Sequence, residues 1–431
     1  MQTRFSPEAL ADPAMASSER VIRSCVHCGF CTATCPTYVL LGDERDSPRG
    51  RIYMIKDMLE NGRKPGPDIV RHVDRCLSCL SCMTTCPSGV HYGHLVDHAR
   101  AYIAEHHRRP LPDRLIRAAL AAILPYPARF RAALALGRLA QPFAGLLRGV
   151  PALKPVAAML AMVPTRRAAD LSPTPRPEAP RGRVILLQGC AEPVLDPGIR
   201  AATRRVLARA GWDVVLVPGE GCCGALVHHL GREEAARDAA RRNILAWDAA
   251  GPVEAIVITT SGCGTSVKDY GHLLRDDREF AQRAAHCAGL ARDISQFLDE
   301  TGITAAGMRP LRVAYHPACS LQHGQKVTEA PVRLLRAAGY TVSTPREAHL
   351  CCGSAGTYNI LQSDIAGQLG RRKADHLDAL SPDVIAAGNI GCATQIGRYA
   401  AAPVVHTIEL IDWAQGGPIP PAMKDTGQWQ S

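Results

Sequence analysis

Sixteen of the 17 cysteines in this 431-residue chain fall into four groups of fixed spacing. The first group reads Cys25-x2-Cys28-x2-Cys31-x3-Cys35-Pro36, and the second reads Cys76-x2-Cys79-x2-Cys82-x3-Cys86-Pro87. Three thiolates so spaced can converge on three irons of one cube, while the fourth, followed by a proline that turns the chain away, reaches another cube. Two such runs predict two [4Fe–4S] clusters with crossed ligation. Cys25, Cys28, Cys31 and Cys86 are expected on one cluster, and Cys76, Cys79, Cys82 and Cys35 on the other. Zinc also takes Cys-x2-Cys pairs, but as two separated pairs, not an unbroken triplet with a fourth cysteine and a proline.

The other two groups are copies of each other. Cys190, Cys222, Cys223 and Cys263 recur 129 residues later as Cys319, Cys351, Cys352 and Cys392, so both copies read C-x31-CC-x39-C. The match extends to Arg183-Val184 with Arg312-Val313, and to Gly224 with Gly353. Each copy opens with an apolar run ending at a cysteine, continues through a helix-like stretch, and passes a Gly–aromatic step into another strand. Two duplicated α/β units are expected. Adjacent cysteines at a strand-to-helix turn can converge with the others at the carboxyl edge of a small parallel sheet, where such folds place their sites. Each quartet is therefore a candidate metal or redox site, with thiol redox chemistry and a purely structural role as the alternatives.

Several other features carry less. Gly219-x-Gly221-x-x-Gly224 matches a dinucleotide fingerprint in letters, but the second copy keeps only the CC-Gly, so nucleotide binding is set aside. No residue is assigned a catalytic role. Cys287 has no counterpart in the repeat and reads as a small buried residue. His316 and His323 flank Cys319 and could assist a site there, but read first as satisfied structural histidines. Arg49, Arg51, Arg71 and Arg75 lie near the first two groups, where they could offset cluster charge but are expected to be solvated.

The elements that must position these groups follow from patterning. The fold expected is α+β and multidomain: a helical two-[4Fe–4S] ferredoxin-like domain over 1–108, a basic amphipathic helical spacer over 109–168 and a proline-rich linker over 169–181. The duplicated units follow at 182–305 and 306–431. The insert after Asp43 holds a helix-like core following Pro48 and Gly50. The spacer carries nine Lys or Arg against one acid from 111 to 168, which accounts for most of the net charge of +10. With aromatics at 5% and no helix-turn-helix or RNA-binding signature, nucleic-acid binding is excluded. Its helices, in DRLIRAALAAIL and ARFRAALALGRLA, are expected to pack on this protein's own core or to dock on a partner or an anionic membrane. The longest charge-free runs there fall short of the roughly 18 to 20 residues a spanning helix needs. No secretory signal is readable at the start, and cysteine use points to the reducing cytoplasm.

The doubled cluster motif, the basic spacer and the two CC-Gly units, in that order, resemble the iron–sulfur subunit of bacterial glycolate oxidase. The segments CVHCGFCTATCPTY, LGDERDSPRGRIYMIK, RCLSCLSCMTTCPSGV, SGCGTSVKDYG, HLCCGSAGTYNI and NIGCATQIG carry the resemblance. It implies a complex in which FAD-bearing partner subunits oxidise glycolate to glyoxylate while this chain passes electrons towards quinone, peripherally at the cytoplasmic face of the inner membrane. Related dehydrogenases of glycerol 3-phosphate or lactate, and a disulfide or quinone reductase acting at the CC-Gly cysteines, are the alternative readings. In the related heterodisulfide reductase subunit, the CC-Gly units end in Cys-x2-Cys. Here Thr260 and Asn389 stand in place of the first of those cysteines, leaving four per unit, not five.

Overall fold

The computed structural model describes residues 1–141, 154–161, 177–302 and 310–424. Prolines set the first turns of the amino-terminal helices. α1 (Pro13–Ser24), α2 (Pro36–Leu41), α3 (Pro48–Glu60) and α4 (Pro67–Asp74) each begin on one, since its fixed φ suits that position and its missing N–H is not needed there. Ser47 caps α3 by accepting from the Gly50 N–H. Gly50 has no room for a side chain, because a Cβ would lie 2.0 Å from the Glu44 carbonyl oxygen. Ile52, Ile55 and Leu59, at helical spacing on α3, meet Val70 and Val73 of α4 and Leu95, Ala99 and Ile103 of α5 (Tyr92–His106) in one core. The domain is helical, as expected.

The spacer forms α6 (Leu111–Ile123), α7 (Pro127–Ala140) and α8 (Lys154–Ala161). Leu120 and Ala121 of α6 pack with Val227, Leu230 and Ile360 of the duplicated units. Arg109 and Arg117 grip Asp74 at 2.6 and 2.9 Å, tying the spacer to α4. The helices pack on the protein's own core, while Leu111, Leu115, Leu136 and Leu139 point outward at 61–76% exposure. Arg148, Arg166, Arg167, most of the linker and the 305/306 boundary lie outside the described residues.

Each duplicated unit is a four-stranded, all-parallel sheet. The first has the order β2-β1-β3-β4, from β1 (Gly182–Leu186), β2 (Trp212–Val215), β3 (Ala255–Ile258) and β4 (Ala291–Asp293). The second repeats it as β6-β5-β7-β8, from β5 (Arg312–His316), β6 (Thr341–Ser343), β7 (Val384–Ala387) and β8 (Val404–His406). Strand alternation gives each sheet two buried faces. Val184 and Leu186 enter a core shared by both units, while Ile185 and Leu187 enter a core of the first unit alone. The shared core is closed by α9 (Gly198–Arg209) and α10 (Thr407–Ala414). Arg205 of α9 pairs with the buried Asp412 of α10 at 2.7 Å, and Arg209 pairs with the same carboxylate. The two copies thus form one body, and α5 docks on it where His94 meets Asp269 at 2.9 Å.

Candidate metal centres

The first two cysteine groups are loops wound tightly enough to aim successive thiols inward. His27 and Gly29 in the first run, and Ser78 and Leu80 at the same offsets in the second, have φ of 59°, 88°, 49° and 62°. Left-handed backbone at three non-glycine residues is strain of the kind stored at functional sites. One cavity is lined by Cys25, Cys28, Cys31 and Cys86, and also by Cys82, which borders both cavities. Its neighbour is lined by Cys35, Cys76, Cys79 and Cys82. The fourth cysteine of each run therefore lies in the cavity of the other. Four thiols around each of two adjacent cavities is a donor set that fits an iron–sulfur cube. Burial pushes the Cys79 and Cys82 thiols well up and the Cys31 thiol up to about 11, a cost that bound cations would offset.

One of the four nearby arginines departs from the solvated role expected of them. Arg51 is 1% exposed. Its Nε donates to the His72 carbonyl at 2.7 Å, its Nη2 to Thr37 Oγ1 at 3.0 Å and to Asp46 Oδ1 at 3.3 Å, and its Nη1 lies 3.8 Å from Cys35 Sγ. A guanidinium is buried here because Asp46 supplies the compensating charge and the His72 carbonyl and Thr37 hydroxyl accept its other N–H groups. Arg75 reaches the same Asp46 at 2.8 Å and is half-buried, Arg49 pairs with Glu44, and Arg71 stays exposed beside Asp68. Tyr92 Oη donates towards Cys76 Sγ at 3.7 Å.

The two later quartets gather at the carboxyl ends of their sheets, as expected for parallel strands. Cys190 follows β1, and Cys222 and Cys223 follow β2. Cys263 lies in the first turn of α11 (Ser261–Lys268), after β3. Cys319, Cys351, Cys352 and Cys392 repeat these positions around β5, β6 and β7, with Cys392 in α12 (Ile390–Ile396). Gly224 and Gly353, both at φ 88°, make the turn after each cysteine pair, and a Cβ at Gly353 would lie 2.7 Å from the Ala366 carbonyl oxygen. Within the second quartet Cys319 and Cys351 sulfurs are 3.6 Å apart. All eight thiols border a single apolar cavity of about 480 Å³, roofed by Leu120, Leu124, Phe130, Leu134 and Met159 of the spacer. Cys79 of the amino-terminal domain packs with Cys351 and Cys319 in one cluster, joining the two parts of the molecule at their cysteines.

Comparison with known proteins agrees with this geometry. A 4Fe-4S dicluster domain matches residues 24–90, and a cysteine-rich domain matches residues 184–268 and again 313–397. The glycolate oxidase iron-sulfur subunit of Escherichia coli (strain K12) is 41% identical over 418 residues, spanning 96% of this chain and 99% of that one. The chain belongs to the family of glycolate oxidase iron–sulfur subunits. A probable glycolate oxidase iron-sulfur subunit of Bacillus subtilis (strain 168) is 32% identical, covering 91% of this chain and 93% of its own. A solved Helicobacter pylori hypothetical protein shares the fold at a TM-score of 0.55, with 10% identity over 94% of this chain and 73% of its own.

In this member of the glycolate oxidase iron–sulfur subunit family, the amino-terminal domain carries [4Fe–4S] clusters. Sequence reasoning found all sixteen grouped cysteines but missed the apolar cavity, which no local pattern announces. It also took His316 as a satisfied histidine. The structure corrects this: His316 is 1% exposed and neither ring nitrogen has a hydrogen-bond partner. His323 is satisfied, bonding Thr84 Oγ1 at 2.8 Å and the His349 carbonyl at 3.0 Å. Cys287 is buried, as read. The Gly219–Gly224 turn leads only into the five-residue helix Ala225–His229.

Proposed function

We propose that this chain is the electron-transfer subunit of a flavin-dependent complex that oxidises glycolate to glyoxylate, with the flavin on partner subunits and a quinone as acceptor. The observation that carries this reading is the packing of Cys79 against Cys319 and Cys351, which leads from the cluster cavities to the large apolar one. Clusters held by Cys25, Cys28, Cys31 and Cys86, and by Cys76, Cys79, Cys82 and Cys35, supply one-electron oxidation and reduction there. The chain's own residues hold and insulate that route. Arg51 balances thiolate charge at Cys35, and the spacer leucines keep water from the eight later cysteines.

The acceptor is read from the lining. In a cavity of about 480 Å³, Leu, Ala, Phe and Met side chains face the eight cysteines and a few Ser, Thr, Asn and His residues. With no Asp, Glu, Lys or Arg among its described lining residues, it suits a lipophilic ring far better than a charged carrier. No helix among the described residues is long and apolar enough to cross a membrane. The outward leucines of α6 and α7, interleaved with Arg114, Arg129 and Arg131, instead suit peripheral contact with an anionic bilayer at the cytoplasmic face, the side from which quinone would enter. The domain limits 1–108, 109–168, 169–181, 182–305 and 306–431 complete the proposed organisation.

The test is co-expression with the flavin-bearing partners and assay of glycolate-dependent reduction of a short-chain quinone. Turnover that requires this chain and vanishes for lactate and glycerol 3-phosphate supports the proposal. Turnover driven by either of those substrates instead would reassign the complex. A chain that reduces quinone or a disulfide from a thiol donor without the flavin partners would make it a reductase in its own right.

A further inference from the structure

The two duplicated units differ where their ligands would be. Aligning the copies at their 129-residue offset puts Leu187 opposite His316 and Ile244 opposite Lys373. Leu187 and Ile244 sit in the apolar core of the first unit. Their counterparts sit against cysteines. A ring nitrogen of His316 and the sulfurs of Cys352 and Cys392 lie within 4.8 Å of one another, all three side chains buried. Donors so placed can close on one ion at bond lengths of about 2.0 to 2.3 Å. Both His316 nitrogens lack any hydrogen-bond partner, and an imidazole buried in that state is costly unless something outside the chain satisfies it. Lys373, 2% exposed, donates to the Glu347 carbonyl at 2.7 Å and lies close enough to feel charge on all four cysteines of its unit. Asn389 Nδ2 donates to Cys392 Sγ at 3.2 Å. A buried imidazole beside two cysteine sulfurs and an amide donor to one of them give this copy donors that the other, with Arg242 near Cys222, does not match.

We propose that the second unit holds a soft transition-metal centre, iron or zinc, with His316 as a direct ligand beside Cys352 and Cys392, and that the first unit lacks this ligand. His316 then restores the fifth donor that four cysteines leave missing, and Lys373 offsets the thiolate charge. Imidazole in place of thiolate raises the potential of an iron centre, so iron here would make the second unit the electron-accepting end of the chain. Zinc here would make it a structural clasp. The proposal stands apart from the substrate of the complex, because its test reads metal and not glycolate turnover.

The experiment uses the full chain purified without oxygen, with iron and zinc quantified per chain. Nitrogen ligation is read by electron–nuclear double resonance for iron and by edge absorption fine structure for zinc. Wild type is compared with His316→Leu, which copies Leu187, and with His316→Cys. The expected result is a histidine nitrogen signature in wild type that His316→Leu abolishes together with the metal of the second unit, about eight amino-terminal irons remaining. His316→Cys should keep the metal and lose the nitrogen. A wild-type spectrum without nitrogen coupling overturns the proposal even if His316→Leu fails to fold. So does a folded His316→Leu chain with unchanged metal and spectra.

Discussion

In the amino-terminal domain Cys35 and Cys86 each lie in the cavity of the other run, whereas in the carboxy-terminal half every quartet keeps its own four cysteines at the end of its own sheet. Loops on a helical scaffold can exchange a ligand, because each fourth cysteine sits just before α2 or the turn into α5, outside any strand ladder. Strand ends cannot, since the parallel ladders of β1 with β2 and β3 fix the spacing of the residues that follow them. Exchange binds the first pair into one inseparable unit. Self-containment leaves the second pair free to diverge, and Leu187 against His316 is the visible divergence.

The crossing makes the largest predicted effect. Cys86→Ser should cost about four of eight irons and perturb the centre at Cys25, Cys28 and Cys31, while Cys35→Ser should do the same to the centre at Cys76, Cys79 and Cys82. Iron content and electron paramagnetic resonance check it, and perturbation of the cluster on the mutated residue's own run would break the comparison. Arg51→Met should destabilise the first domain by about 3 kcal/mol in anaerobic denaturant unfolding, because it leaves the buried His72 carbonyl without its donor and Asp46 with Arg75 and His72 as its remaining partners. Arg71→Met, at an exposed pair, should change stability by at most about 1 kcal/mol. Equal losses from the two arginines would contradict the burial argument.

The self-contained units should answer pH with opposite signs. Asp293 caps the helix Ile294–Glu300 after β4, and burial pushes its carboxyl up to about 6. Its contribution is present at low pH and lost as pH rises through 6. His406 caps α10 at the matching place after β8, and burial brings its imidazole down to about 4. Its contribution is present above the ordinary histidine range and lost as pH falls through 4. Each swing approaches about 3 kcal/mol at ~1.4 kcal/mol per tenfold change in acidity. The two windows overlap, so the contributions oppose each other between about pH 4 and 6. In melting profiles Asp293→Asn, able to keep the cap, should steepen the loss of stability on acidification there, and His406→Asn should reduce it. A change of the same sign from both would refute the assignment. Smallest, Gly353→Ala should cost about 1 to 3 kcal/mol and Gly224→Ala somewhat less, since the added Cβ meets backbone oxygen at 2.7 Å in one and 3.0 Å in the other. The reverse order in thermal unfolding would show that the tighter turn had relaxed.

Cysteine spacing determined much by itself. The two runs, the 129-residue repeat and the strand–cysteine–helix order follow from local chain geometry, which a sequence records directly. So do the starts of α3 and α4, because proline and a capping serine or glycine act within one turn. His316 was visible three residues before Cys319, but whether it was satisfied depended on residues 36 and 76 positions away. The burial of Arg51 likewise waited on Asp46, His72 and Cys35 meeting around it.

Only the tertiary structure decided that all eight later cysteines share one cavity, that the spacer roofs it, and that Cys79 packs with two of them, Cys319 and Cys351. The physical reason is range. Ligand spacing, caps and strand alternation are fixed over a few bonds, whereas a cavity is the space left when segments distant in sequence pack, and no local segment of the chain encodes that space.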